Sequence, residues 1–276
     1  MTVRIVTDSS CDLRGDEVSD LNIEVVPLSI RFGDQEFVDR EELTVEDFYR
    51  KLDESDELPE TAAPSPGRFE QAFARHLDSG ADTVVCINLS AAISATMQSA
   101  QTAANAMAAD VRVVDSRTLT AGLGSIVLAA ARMAADGAGP EEIVAAAEEM
   151  SGRTRVYGTL DTLDNLKKGG RIGGAQAMLG SMLAIKPLLD LSSGEVEEAG
   201  RQRTRRKALV WLKETLESAL PVENLAVMHG EAPDIDPFIE MLEPIVDVDS
   251  IRIEKIGAVI GTHGGPRVMG LAYQVR

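Results

Sequence analysis

Short apolar runs alternate with stretches of helical period along the first half of the chain. Val3–Thr7 is a run of the buried-strand kind and ends in Asp8-Ser9-Ser10, a cluster suited to starting a helix. Ile23–Ile30 reads as a second strand. Residues 44–53, TVEDFYRKLD, have the spacing of a helix, with Thr44 as its cap and Asp47 at the third helical position. Residues 53–67 form a polar loop holding three prolines, and a helix is predicted at about 68–78. Thr83–Ile87 and Val111–Val114 are further short strands, while Gln98–Ala109, 122–136 and 140–150 are helical. This alternation predicts a parallel sheet covered on both faces. Ligands of such sheets bind beyond the carboxyl ends of the strands, where Asp8-Ser9-Ser10, Asn88-Leu89-Ser90 and Asp115-Ser116 fall.

The rhythm changes after residue 152. Ile185–Leu191, the turn Ser192-Ser193-Gly194 and Val196–Ala199 have the form of a hairpin. A helix at about 204–219 would bury Leu209, Leu212 and Leu216 at helical spacing. A strand at Asn224–His229, a helix at 233–243 and a strand at Ser250–Ile256 follow. Near the end, GAVIGTHGGPRVMG (residues 257–270) holds five glycines and one histidine and reads as a loop able to cradle an anion with backbone N–H groups. The expected fold is α/β in two domains: residues 1–152 around a parallel sheet, and residues 153–276 as a smaller C-terminal α/β domain.

Composition narrows the function classes. The 276 residues are 44% hydrophobic and 26% charged, values ordinary for a globular protein. Apolar runs are too short for a membrane helix, and MTVRIVTDSS reads as a strand rather than a signal peptide. Cys11 and Cys86, the only cysteines, offer neither a disulfide framework nor a metal spacing. A cytoplasmic location is therefore expected. The net charge of −18 argues against nucleic acid as a partner. That charge is uneven: −17 over residues 1–152, +5 over 153–207 and −6 over 208–276. The basic segment is either a solvated face or a contact for a partner.

Common catalytic signatures are missing from the sequence. No GxxxxGK[ST] phosphate loop, GxSxG, HExxH or CxxC occurs, and Gly122-Leu123-Gly124 lacks the third glycine of a dinucleotide fingerprint. His76, His229 and His263 have no metal spacing, so no metal and no cofactor is expected. What stands out is a set of hydroxyls and three charged or titratable groups in turns: Thr61, Ser94, Thr96, Asp115, Ser116, Thr120, Arg171, Thr262 and His263. Taken singly they are helix caps and turn formers. Together they suit a site that holds a carboxylate or a phosphate. A self-sufficient hydrolase acting through Ser94 or Ser116 with His263, or a small-molecule kinase, is the alternative to a binding site.

RIVTDSSCDL, TAAPSP, SAAISATMQSA, VVDSRTLTAGLG, TLDNLKKGGRIG, IKPLL and IGTHGGPRVMG, seven motifs in this order, together resemble the DegV family of bacterial fatty-acid-binding proteins. RIVTDSSCDL resembles the family's opening strand and turn, and TAAPSP is similar to TSQPSP. SAAISATMQSA resembles SxxLSGTYQSA, and VVDSRTLTAGLG resembles VIDSxxxSxGxG. TLDNLKKGGRIG and IKPLL match closely, and IGTHGGPRVMG resembles IGTHTGPGALG. The resemblance implies a protein that holds one long-chain fatty acid in a buried tunnel between two α/β domains. It also implies a partner: a separate ATP-dependent fatty-acid kinase that phosphorylates the bound carboxylate, with the acyl phosphate passing to phospholipid synthesis and peripheral contact with a membrane. The protein itself would then be a lipid-binding subunit with no catalytic residue of its own.

Carried over by motif, Thr61 and Ser94 would hydrogen-bond the carboxylate, with Arg171, Thr262 and His263 completing the polar network. Hydroxyl donors would satisfy the carboxylate without adding charge and would leave it nucleophilic. Met178 and Met182, at helical spacing in AQAMLGSMLAIKPLL, would line the lipid tunnel, and Arg201, Arg203 and Arg205 would meet the kinase. The chain departs from the family pattern at Ala62 and Ala63 beside Thr61, at Ala95 and Met97 beside Ser94, and at Arg267, where the family motif has glycine.

Overall fold

The structure, a computed structural model, describes residues 1–55, 57–178 and 185–276. Its strands, in chain order, are β1 (Val3–Asp8), β2 (Glu24–Val26), β3 (Ser29–Phe32), β4 (Gln35–Val38), β5 (Glu60–Ala62), β6 (Thr83–Asn88) and β7 (Asp110–Asp115) in the first half. The second half adds β8 (Thr154–Thr159), β9 (Lys186–Asp190), β10 (Glu197–Gln202), β11 (Val222–His229), β12 (Arg252–Lys255) and β13 (Met269–Val275). Among the described residues these form three sheets. A parallel four-stranded sheet has the order β2-β1-β6-β7. A six-stranded sheet, β10-β9-β8-β13-β11-β12, is antiparallel except at the β11–β12 pair. The small antiparallel sheet β4-β3-β5 has no counterpart in the expected layout.

The helices are α1 (Gly15–Asp20), α2 (Val45–Glu54), α3 (Pro66–Asp78), α4 (Thr96–Ala106), α5 (Thr120–Ala135), α6 (Pro140–Arg153), α7 (Asp164–Lys168), α8 (Arg205–Ala219), α9 (Ile235–Leu242) and α10 (Ala258–Gly264). No described helix is long and apolar enough to cross a membrane. Helices α3 and α4 cover one face of the parallel sheet, burying Phe69, Phe73 and Ala100 on Val6, Val84 and Cys86. On the other face, Leu123, Ile126 and Val127 of α5 pack on Val3, Ile5 and Val85. Helix α5 also touches β8, β11 and β13, so it lies between the two large sheets. Its Ala- and Gly-rich sequence allows that position: a Cβ at Gly124 would stand 2.7 Å from the Cys11 carbonyl oxygen. The far face of the six-stranded sheet buries Leu271, Val227 and Tyr273 under α8 and α9 through Leu212, Leu216 and Phe238.

Several expected elements are redrawn. The run Ile23–Ile30 is two strands in two sheets, because Pro27 supplies no N–H for a continuous ladder. The proline-containing loop 53–67 carries β5. Asp8 caps a single 3-10 turn, Ser9–Cys11, with its carboxylate accepting the Ser10 N–H. Thr44 caps α2 through the Asp47 N–H, as the spacing predicts. The glycine-rich stretch at 257–270 is not a loop: it holds α10 and the first two residues of β13, a central strand.

Candidate functional site

Four side chains from separate segments line one cavity, which lies against the six-stranded sheet and beside the loops that follow β6 and β7. Thr61 comes from the middle of β5, opposite Ile30 of β3. Ser94 ends the loop after β6, where its Oγ accepts the Thr96 N–H at 3.3 Å and contacts the Thr96 hydroxyl at 2.9 Å. That hydroxyl pair does the capping that Ala95, the residue before α4, has no side chain to do. Arg171 follows α7, and His263 sits in the last turn of α10. All four line the cavity. The remaining wall is mostly apolar: Leu89 and Leu119 from the first half, and Val156, Leu160, Leu189 and Met228 from the second.

The polar end is wired directly. Thr61 Oγ1 and His263 Nε2 lie 2.9 Å apart. His263 Nδ1 is buried with no hydrogen-bond partner among the described residues. A bare lone pair costs less there than a bare N–H, so the neutral ring carries its proton on Nε2 and donates to Thr61. The Thr61 O–H is then free to donate into the cavity. Burial, with the Arg171 charge adding to it, pushes the His263 pKa down to about 4. The ring is therefore neutral near pH 7. Arg171 donates to the Ile93 carbonyl at 3.2 Å through Nε and to the Gly169 carbonyl at 2.7 Å. Both partners are main-chain carbonyls, which orient the guanidinium without neutralising it. The arrangement thus offers a small anion one formal positive charge and neutral hydroxyl donors, in a mostly apolar space.

Other expected residues fall elsewhere. The Thr262 hydroxyl donates to the Ala258 carbonyl at 2.8 Å inside α10, and the Thr262 carbonyl accepts from Asn165 Nδ2 at 3.0 Å. Consecutive helical residues point about 100° apart, so Thr262 cannot share the face of His263. Met178 is buried beside Leu166, Leu189 and Val196 but is not among the described lining residues, and Met182 lies outside the described residues. The methionine that does line the cavity is Met228 of β11, whose sulfur accepts from the Thr120 hydroxyl. Sequence reasoning singled out Thr120 but not Met228, which reads as ordinary strand core. Asp115 accepts the Ala91 and Arg117 N–H groups and shapes the turn rather than the cavity.

The arginines of the basic stretch differ from one another. Arg201 and Arg203 are exposed, with Arg201 3.4 Å from Glu198. Arg205 is engaged instead by a two-pronged pair with Asp234 at 2.8 and 3.0 Å, which ties the start of α8 to the start of α9. It is an internal brace, which a charge count cannot reveal. Among the described residues no three His, Cys, Asp or Glu side chains gather as a metal site.

The family profile described as "Uncharacterised protein, DegV family" matches residues 2–276. The chain belongs to the DegV family. A DegV domain-containing protein of Streptomyces coelicolor is 36% identical over 279 residues, covering 99% of each chain. Among solved structures, a fatty-acid-binding DegV family protein from Thermus thermophilus has a TM-score of 0.92 and 33% identity over 100% of both chains. DegV from Bacillus subtilis, a fatty acid binding protein, has a TM-score of 0.88 and 30% identity, again over 100% of both chains. The mixed α/β architecture with its parallel N-terminal sheet is thus the DegV fold. Against the DegV motif, Arg267 occupies the turn between α10 and β13 with φ of 60°, a left-handed conformation that suits glycine, and its guanidinium reaches Asp161 at 2.7 Å.

Proposed function

We propose that this DegV protein binds one long-chain fatty acid, its tail in the apolar part of the cavity and its carboxylate at Thr61, Ser94, Arg171 and His263. The observation that carries this reading is the polarity of the cavity: apolar side chains over most of its wall, with Thr61 and His263 in contact, Arg171 near that ring, and Ser94 next to Ile93, whose carbonyl Arg171 holds. A polymethylene tail is the ligand that such a wall rewards. At roughly 0.8 kcal/mol per buried CH₂, about fourteen methylenes gain roughly 11 kcal/mol before ordering costs. Thr61 and Ser94 would donate to the carboxylate, His263 would polarise Thr61 through Nε2, and Arg171 would supply the balancing charge. In this reading residues 1–152 and 153–276 act as two domains with the lipid tunnel between them.

The protein then presents the carboxylate to a separate ATP-dependent fatty-acid kinase and carries the acyl phosphate onward. Support comes from the missing nucleotide motif in the sequence and from Arg201 and Arg203, exposed on the basic stretch. The same geometry disfavours a self-sufficient hydrolase. The Ser94 hydroxyl contacts Thr96 rather than His263, and among the described residues no carboxylate meets His263 Nδ1 to orient the ring as a general base. The test is extraction of the purified protein under denaturing conditions, before and after incubation with fatty acid, followed by mass spectrometry. A retained acyl chain at one per protein is expected. Protein that retains none in either case overturns the reading.

A further inference from the structure

The Thr61–His263 contact depends on where the imidazole ring rests, and the ring rests on a residue with no side chain. Gly169 closes α7, and a Cβ built on it would overlap His263 Nδ1 and stand 2.8 Å from Cε1. Nothing in the backbone asks for glycine there: φ is −71° and ψ −4°, a conformation any residue adopts. The next residue, Gly170, is the one in left-handed space, with φ of 67°. So the two glycines of LKKGGR answer different needs, the second conformational and the first steric.

The surrounding bonds say what that steric need serves. The Gly169 carbonyl accepts from Arg171, so the same residue that backs the histidine also orients the arginine. One turn earlier, Asn165 holds the Thr262 carbonyl at the end of α10, and the Lys168 ammonium holds the Leu58 carbonyl just ahead of β5. Helix α7 therefore grips both elements that carry the Thr61–His263 pair, and Gly169 is the point where the ring itself is stopped. We infer that Gly169 is a positioning residue of the head-group site: its missing side chain is the seat that lets the His263 ring lie within hydrogen-bond reach of Thr61. A methyl group in that seat would push the ring out by about 1 Å, far enough to break a 2.9 Å contact. This rests on reading the cluster as a carboxylate site.

The test is Gly169→Ala in two backgrounds, natural and His263→Ala, with oleate as the titrated probe and NMR of the His263 ring nitrogens as an independent readout. In the natural background the substitution weakens oleate binding about fivefold, the effect of losing one neutral hydrogen bond, here the one that polarises the Thr61 donor. In His263→Ala, where no ring fills the seat, it changes affinity less than twofold. The Nε2–H signal of the displaced ring shifts, which reports the lost contact with Thr61. Equal losses in both backgrounds, or no loss in either, overturn the inference. If Gly169→Ala fails to fold, the double variant must fold, and its failure likewise overturns the inference. Should the natural protein bind no oleate, the carboxylate reading falls, and the ring-nitrogen spectrum still decides: an unchanged Nε2 signal in Gly169→Ala removes the seat.

Discussion

The two ends of the cavity are built on different principles. At the polar end, contacts are few and directional: Thr61 to His263, Arg171 to two carbonyls, Ser94 to Thr96. Along the rest of the wall the described lining side chains are mostly apolar, with the Thr120–Met228 contact among them, and shape does the selecting. Gly158 of β8 and Gly270 of β13 face each other across the ladder, with Met228 of β11 next in line. All three line the cavity: two adjacent central strands present no side chains of their own there, the Met228 methyl covers Gly270, and a furrow stays open over Gly158. The comparison teaches that head and tail should fail differently. Damage at the tail end scales with chain length, whereas damage at the polar end takes the same toll on every chain.

The largest effect is expected at the furrow. Among the described residues a Cβ at Gly158 would meet only the Met269 carbonyl oxygen, at 3.6 Å, so the strand tolerates a side chain while the cavity does not. Gly158→Leu should displace about four methylenes, roughly 3 kcal/mol or a hundredfold in affinity for the longest chains. Shorter chains should be nearly unaffected. Titrating saturated acids of increasing length checks this, and a uniform loss over all lengths would erase the proposed division.

Thr61→Val probes the other end. It keeps the shape and removes the donor, leaving His263 and an incoming carboxylate unpaired. A loss of about 2 kcal/mol is expected, roughly thirtyfold, and it should be the same for every chain length. Calorimetry over the same series of acids measures it. A length-dependent loss would place Thr61 on the tail path.

How much of this contrast could be read from the chain alone follows from the same difference. Thr61, Ser94, Arg171 and His263 each sit in a short motif, because a directional contact demands one residue type at one place. The furrow was invisible because β8 and β13 were not recognised as strands. MGLAYQV is buried on both faces over its first six residues and so has no period-2 signal, and its glycine reads as a loop. Thr262 was misplaced for a related reason: glycines in α10 serve close packing, not turning. A Cβ at Gly261 would stand 2.7 Å from Phe48 Cε1, which only the folded neighbours reveal. The Arg205–Asp234 pair is hidden from the chain alone because its two residues stand 29 apart in sequence.

A pH experiment sharpens the polar end further. The folded pKa of His263, about 4, lies below its ordinary 6.5, so the native state resists protonation that the unfolded chain accepts. Stability held above pH 6.5 is therefore lost progressively as pH falls toward 4. Asp12 and Asp39, whose burial raises their pKa values to about 7 and about 6, act in the opposite sense over an overlapping window. Comparing the natural protein with His263→Gln cancels those terms. Between pH 7 and pH 5 the natural protein should lose roughly 1–2 kcal/mol relative to the variant in urea unfolding. Parallel curves would mean that the ring is solvated, and the neutral-donor account of the site would fail with it.

The smallest effect is expected where the two ends join. Arg267 lies on the turn between α10, which carries His263, and β13, which carries Gly270. Its left-handed backbone disfavours any residue with a Cβ by about 1 kcal/mol, and Arg267→Gly removes that penalty. The same change deletes the pair with Asp161, but Arg267 is 58% exposed and such a pair stabilises by at most about 1 kcal/mol. Lys186 Nζ, 2.6 Å from the other Asp161 oxygen, keeps that carboxylate paired after the change. The net expectation is a gain of about 0.5 kcal/mol in urea unfolding, largest in high salt, where the ion pair is screened and the backbone term is not. Affinity for fatty acid should not move at any chain length, because Arg267 belongs to neither the polar cluster nor the furrow. A change confined to long chains would extend the tail end to this turn, and a uniform change would extend the polar one.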